Sequence, residues 1–529
     1  MSHMKKYFLF LLLTICSSHF TRAQTPNILL VIADDLGRDA LNGFGQSTLM
    51  PTTPTLDSLR SIGIAFDNVW GTPMCTSTRA SMMSGLHGNK TGVQGTPGNL
   101  DTAYTSVLKR ITQSQNADYA KSVIGKWHIS SRPLDPDHPI KTGADYYVGF
   151  LEAFPNTYDV WDKTENGVTA EENSYVTTTL TDKAITWTQA QTKPWFLWLA
   201  HAAPHTPFHV PPSHMYTITR TNNNLQKFIA MIESLDYEIN RLLASMSTEE
   251  RDNTIVIFLG DNGTGGQVLR DYPAGHGKGT IYEGGIGVPM IIAGKGVTRK
   301  GERESALINL TDVHATILDI ADVPMNGGVG NSLSFKHLLT GNAGNTRDYN
   351  FMEFKDGADY YWSVCNAQYK LIQLADGSKE LYDLTIDPFE NSPIDMTSLS
   401  AEVQAIVDDL EDESETTRNS WSCRDYIQNG DEIGIDCGGS NCSPCTNSIT
   451  AKISNKIHVY PNPSKGNLVI KATEPILVIY IYNSIGQQVY KRNMSSNTVD
   501  IDISLLNAEL YHIEIVTSSN STYKSILKL

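Results

Sequence analysis

Asn27-Ile28-Leu29-Leu30-Val31-Ile32-Ala33-Asp34-Asp35 is the stretch that decides the fold. A strand with one face in water alternates apolar and polar residues, whereas positions 28–33 are unbroken hydrocarbon, as in a strand buried on both faces of a parallel sheet. The run ends in two adjacent acids. Burying neighbouring carboxylates costs several kcal/mol unless a cation neutralises them, so Asp34 and Asp35 read as metal ligands. In an open α/β sheet the ligand crevice lies outside the carboxyl ends of the strands, which makes this corner the place to look for chemistry.

The same layout recurs downstream. A short strand at 119–124 breaks at Gly125 and delivers Lys126-Trp127-His128, an apolar run at 195–200 delivers His201 and His205, and one at 254–259 delivers Gly260-Asp261-Asn262-Gly263. Lys278-Gly279 and Glu283-Gly284-Gly285 follow. Amphipathic stretches at 53–59, 225–243 and 310–320 supply helical layers. The expected fold class is α/β, a mostly parallel central sheet flanked by helices. Between the first two strands lies Met74-Cys75-Thr76-Ser77-Thr78-Arg79-Ala80-Ser81-Met82-Met83-Ser84-Gly85. Here a lone thiol opens a helix whose free N–H groups favour an anion. With Arg79 four residues on, the thiol pKa is expected to be depressed, so Cys75 reads as a nucleophile or as a buried structural thiol. His201, His276 and Arg270 lie beside these motifs and read as substrate-side or structural.

In order and spacing the pieces resemble the formylglycine-dependent sulfatases of the alkaline-phosphatase-like superfamily. The matching pieces are the acid pair, C-x-S-x-R at Cys75, Ser77 and Arg79, GKWH, a Pro-His before a proline, DNG, and KGTxxEGG. One departure is Gly287, where many relatives carry an arginine after the glycine pair. The resemblance implies that Cys75 is oxidised to formylglycine, whose hydrate offers one hydroxyl to attack sulfur and a second to expel sulfate. It implies Ca²⁺ bound by Asp34, Asp35, Asp261, Asn262 and residue 75, hard oxygen ligands suiting calcium better than zinc. Arg79 and Lys126 would hold the hydrate and sulfate. His128 would be the base for hydrate collapse, with His205 and Lys278 on the leaving-group side.

The formal net charge of −16 argues against wrapping nucleic acid, so a polyanionic substrate must be gripped by a few placed cations. Lys5 and Lys6, an apolar run and Thr21-Arg22-Ala23 read as a signal peptide over 1–23, too short to span a membrane. The expected order is then a catalytic α/β domain at 24–345, a smaller α+β subdomain at 346–415 with a helix at 401–410, and a Cys-rich linker at 416–450. A small β-sandwich of seven short strands closes the chain at 451–529. The acidic run 411–415 reads as the start of the linker. Cys423, Cys437, Cys442 and Cys445 read as two disulfides with three pairings open, or as a zinc site. Tyr460-Pro461-Asn462-Pro463 and the last strand resemble the sorting domain of bacterial type IX secretion; a carbohydrate-binding sandwich is the alternative.

Together these readings expect a secreted or cell-surface sulfuric ester hydrolase acting on a sulfated carbohydrate. The type IX resemblance suggests an algal polysaccharide such as ulvan or its oligosaccharides. Its partners would be that substrate, a formylglycine-generating or sulfatase-maturating enzyme and the type IX machinery, with no nucleic acid and no transmembrane helix. The rivals are a formylglycine-dependent phosphodiesterase or phosphonate hydrolase, and a catalytically dead binding protein.

Overall fold

The computed structural model of the chain describes residues 25–130, 133–325, 329–419, 457–460, 464–483, 488–504, 506–508, 510–517 and 521–528. The signal segment and the four crowded cysteines lie outside them. The chain divides into two compact units, Met1–Ile427 and Gln428–Leu529.

The first unit is built on a ten-stranded sheet: β1 (Asn27–Ala33), β2 (Ile64–Trp70), β3 (Ala120–Lys126), β4 (Tyr146–Phe150), β5 (Trp161–Glu165), β6 (Val168–Glu172), β7 (Trp195–Ala200), β8 (Thr254–Gly260), β9 (Met290–Gly294) and β10 (Glu302–Asn309). Their order is β10-β2-β9-β8-β1-β7-β3-β4-β5-β6. At its centre β8, β1, β7 and β3 run parallel side by side, so all four carboxyl ends emerge at one edge. Antiparallel pairing enters at β9 and at the β5–β6 edge.

β1 is buried as its sequence requires. Ile28, Leu30 and Ile32 pack into one core with Met82 and Met83 of the helix Cys75–Ser84 and Ile317 and Leu318 of the helix Asp312–Ile320. Leu29, Val31 and Ala33 pack into the other, with Leu56 and Leu59 of the helix Pro54–Ile62 and Phe228, Met231 and Leu235 of the helix Asn224–Ser245. A period of two thus sends alternate residues of one apolar run into two separate cores, with helices covering both faces.

A four-stranded antiparallel sheet follows: β11 (Asn350–Asp356), β12 (Asp359–Cys365), β13 (Tyr369–Gln373) and β14 (Lys379–Asp383). The helix packed on it spans Ala401–Asn419, so the acidic run at 411–415 continues a helix rather than starting a linker. The reason is spacing: Val407, Leu410 and Ser414 are buried along one face, while Glu411 pairs outward with Lys379 at 2.6 Å. Arg418 in the last turn lies over the Trp362 ring.

A buried ion network joins this sheet to the motif strands. Lys370 Nζ lies 2.8 Å from Glu390 Oε1 and 3.2 Å from Glu283 Oε1, and 4.9 Å above the Trp70 ring. Arg38 Nη2 reaches Glu283 Oε2 at 2.6 Å. Burial pushes the Glu390 carboxyl up to about 7, with Lys370 opposing and Glu283 reinforcing. The Arg38 guanidinium also explains Gly287: a Cβ there would meet Arg38 Nε at 2.9 Å. The space beside Gly287 is thus filled by a cation arriving from residue 38.

The second unit is one antiparallel sheet of five strands: β15 (Ile457–Tyr460), β16 (Asn467–Tyr482), β17 (Gln488–Asp502), β18 (Leu510–Thr517) and β19 (Ser521–Leu527). Seven strands become five because β16 and β17 each join two expected strands. β16 passes Pro475 through register shifts in its pairing with β17 instead of turning back. Leu468, Ile470, Ile479, Ile481, Ile513 and Ile515 form part of its own core. Among the described residues no helix is long and apolar enough to cross a membrane.

Replacing Lys370 by Met removes the cation that bridges Glu283 and Glu390; Glu283 keeps Arg38, but Glu390 is left as a buried acid without its cation, which is expected to cost about 3–5 kcal/mol. Urea unfolding checks this; a loss below about 1 kcal/mol, the scale of an exposed pair, would show that the network does not hold the sheet in place.

Candidate active site

Cys75 is the first residue of a helix that is buried along its whole length. Ser77 contributes to that start structurally, its hydroxyl donating to the Met74 carbonyl at 3.0 Å. Arg79, one turn on, is 1% exposed. Its Nε and Nη2 donate to Asp261 Oδ2 at 3.1 and 2.7 Å and its Nη1 to the Lys126 carbonyl at 3.0 Å. One side chain thereby locks the Cys75 helix to the ends of β8 and β3.

The strand ends converge around the thiol. Lys126 Nζ donates to Asp34 at 2.6 and 2.9 Å and lies 3.3 Å from Cys75 Sγ. His128 Nδ1 is 3.2 Å from the same sulfur. Lys278 Nζ lies 2.6 Å from Asp35 Oδ1, and His205 Nε2 is 3.5 Å from Asp35 Oδ2. His205 Nδ1–H donates to the Thr206 carbonyl at 2.7 Å, which fixes the ring with Nε2 toward the acids. Asp35 and His128 both hold left-handed backbone, φ 66° and 53°, a conformation that non-glycine residues adopt at a cost of about 1–3 kcal/mol and that clusters at working sites. Gly125 permits the turn before His128: at φ 109° a Cβ would strike the Ala200 carbonyl oxygen at 1.9 Å.

The electrostatics follow from burial. Burial raises the Cys75 thiol pKa, and Lys126 and Lys278 do not reverse it. The depressed thiol expected from the helix start and Arg79 is thus corrected: Arg79 spends its charge on Asp261, and an unmodified Cys75 is a poor thiolate nucleophile. Burial also works to raise Asp35, but His205, Lys278 and Lys126 overcome it and hold the carboxyl below its usual range. Asp261 is pushed up to about 6 by burial and by Asp34 against Arg79 and Lys126. Burial holds His128 well below the ordinary imidazole value, with Lys126 and Arg79 adding to it, and lowers His205 against Asp35.

These residues fit a hard cation. Ligand atoms of Asp34, Cys75 and Asp261 lie within 4.8 Å of one another, as do those of Asp34, Asp35 and His205. Asn262 donates its amide to Asp35 Oδ1 at 2.9 Å, while its own buried Oδ1 has no partner. An orphaned carbonyl oxygen among three carboxylates, one of them pushed toward its protonated form, is a donor set that suits a hard cation.

Three flagged residues do not join the cluster. Arg270 Nη1 donates to the Leu49 carbonyl at 2.5 Å, and its backbone N–H to Asp39. His276 stacks on Tyr282, centroids 3.7 Å apart. His201 is wholly buried, its pKa lowered to about 3 by burial, with neither ring nitrogen partnered. Conversely, Thr76, whose hydroxyl is 3.2 Å from His128 Nδ1, is a site neighbour that the motifs do not single out, and Tyr158 fastens its segment beside the site, its hydroxyl bridging the Ala202 and His205 carbonyls. Thr76 sits inside the quoted signature, and adjacency to Cys75 was its one available signal.

If the cluster holds calcium, the ion at a hundredfold excess over its Kd is expected to stabilise the fold by about 2.7 kcal/mol. A calcium titration followed by Tm checks this. The shift should shrink in Asn262→Ala, and a Tm indifferent to calcium would remove the ion from the site.

Comparison with known proteins agrees with this geometry. Residues 26–323, more than half of the chain, match the family described as Sulfatase. Residues 275–419 match the C-terminal region of N-sulphoglucosamine sulphohydrolase, and 458–528 match the secretion system C-terminal sorting domain. Arylsulfatase J of Mus musculus is 27% identical over 325 residues, covering 56% of this chain and 52% of its own, so the chain spans about half the length of that curated relative. The solved structure of Ps i-CgsB with k-i-k-neocarrahexaose superposes with a TM-score of 0.65 at 24% identity, over 77% of this chain and 94% of that one. The structure of BT4656 with D-glucosamine-2-N,6-O-disulfate gives 0.63 at 19%, over 77% and all of that chain. At such identities the two structures speak for the fold. The matched span together with the motif residues gathered at one sheet edge carries the conclusion that this chain belongs to the sulfatase family.

Proposed function

We propose that the protein is a secreted sulfatase that hydrolyses sulfate esters on glycans, using a formylglycine derived from Cys75 and a bound Ca²⁺. The observation that carries this is the placement of Cys75 Sγ within reach of both Lys126 and His128, beside an acid cluster with an unpaired Asn262 oxygen. Sγ marks where a hydroxyl of the hydrated aldehyde would stand. Formylglycine supplies a hydroxyl to attack sulfur and a second that expels sulfate, and the cation polarises the sulfate oxygens.

The chain's own residues do the rest. Lys126 neutralises charge on the anion and keeps the nucleophilic oxygen in place. His128, held below the usual imidazole range, is free to accept a proton from residue 75 at neutral pH. His205 and Lys278, joined through Asp35, stand where the leaving oxygen needs a proton and a counter-charge. Asp34, Asp35, Asp261 and Asn262 would hold the ion. The buried setting strengthens each of these interactions by excluding water.

Sulfated sugars as the substrate class are supported by the match of residues 275–419 to the C-terminal region of N-sulphoglucosamine sulphohydrolase. Ulvan or a similar algal polysaccharide is the narrower reading, supported by the sorting domain at 458–528. That domain supports delivery through type IX secretion to the surface or medium after a signal peptide. A formylglycine-generating or sulfatase-maturating enzyme would convert Cys75.

The test is sulfate release from defined sulfated oligosaccharides, run beside an aryl phosphodiester, with the mass of the Cys75 peptide as control for conversion. Converted enzyme is expected to prefer the sulfate esters, and Cys75→Ala to lose at least about a thousandfold in turnover while unfolding near the wild-type midpoint. Preference for the diester, or no hydrolysis by fully converted protein, would overturn the reading.

A further inference from the structure

The roles above leave one exposed ring beside His205 unused. Phe154 is 48% exposed, yet its ring lies on the His205 imidazole with centroids 5.4 Å apart and planes 19° apart. Single exposed apolar side chains are ordinary on protein surfaces. One laid flat on His205, the histidine that the proposed function puts at the leaving-group side, while staying nearly half exposed is not.

Phe154 is also held there. It belongs to the segment between β4 and β5, and Tyr158 of the same segment is buried with its hydroxyl 2.8 and 2.7 Å from the carbonyls of Ala202 and His205. The Tyr158 ring packs on His209, centroids 4.0 Å apart, and His209 Nε2 is 3.0 Å from the Tyr175 hydroxyl. The segment is therefore fastened to the His205 turn on both sides of that histidine, and the Phe154 ring is presented rather than loose.

We propose that Phe154 is the platform for the sugar ring that carries the sulfate ester. Part of the phenyl group rests on His205 and the exposed remainder receives the ring's C–H face. An aromatic face carries partial negative charge and suits the weakly positive C–H hydrogens of a pyranose, while the sugar's hydroxyls stay at its edge, in water. Stacking at this point would set the ester oxygen beside His205 and Lys278 and would select saccharides over sulfate esters that present no flat apolar face. This inference rests on the sulfatase reading of the site.

The experiment compares full-length wild type, Phe154→Ala and Phe154→Trp on a panel of defined sulfated disaccharides. KM is read beside the inhibition constant of inorganic sulfate, which reports the anion end alone. The expected result is a KM raised about tenfold in Phe154→Ala, equivalent to about 1.4 kcal/mol, with the sulfate constant unmoved and KM recovered by Trp. An unchanged KM overturns the platform and leaves the sulfatase reading intact. A sulfate constant that weakens in step with KM also overturns it, since the ring would then only brace the anion pocket. Wild type that releases no sulfate from any ester would remove the function and the platform together.

Discussion

Three buried carboxylates within a few ångströms of one another are the constraint on which the rest of the molecule depends. Asp34, Asp35 and Asp261 stand at the ends of two paired strands and are almost wholly removed from water. Uncompensated, charges so placed would outweigh the marginal stability of a folded domain. The surrounding sequence answers with one permanent cation for each: Lys126 for Asp34, Lys278 for Asp35 and Arg79 for Asp261. That compensation is incomplete, as Asp261 near 6 and the unpaired Asn262 oxygen indicate, and the shortfall is what a divalent ion would fill.

The rest of the architecture delivers these groups to one place. Because β8, β1, β7 and β3 are adjacent and parallel, residues far apart in sequence emerge side by side at one edge. Strained backbone at Asp35 and His128 turns two of those side chains inward, and the two-sided core beneath resists their relaxation. The antiparallel sheet β11–β14 adds support from outside, through Lys370 and the Glu283 of the last motif. Glu283 thus acts as a structural joint between the two sheets.

Much of this was legible in the sequence. The unbroken hydrocarbon of β1 announced burial on both faces, and the acids behind it announced the site. Legibility failed where contacts cross the fold. Nothing in the order of residues says that Arg38 fills the space beside Gly287, or that Arg79 turns its charge to Asp261 and leaves the Cys75 thiol with a raised pKa. The strand count in the second unit failed because the polar breaks in the alternating pattern, expected to end strands, are carried inside two long strands through shifted register. The helix end at Asn419 failed because four acids among five residues outweighed the apolar spacing that carries the helix through them.

The central claim is that these strand ends form one calcium-lined anion pocket with residue 75 at its floor. A crystal structure grown with calcium, read by anomalous scattering, tests it most directly. The account expects a single strong peak with Asp34, Asp35, Asp261 and Asn262 oxygens at about 2.3–2.6 Å and residue 75 beside it. An empty cluster at saturating calcium, or an ion bound elsewhere with Asn262 turned away, would contradict it.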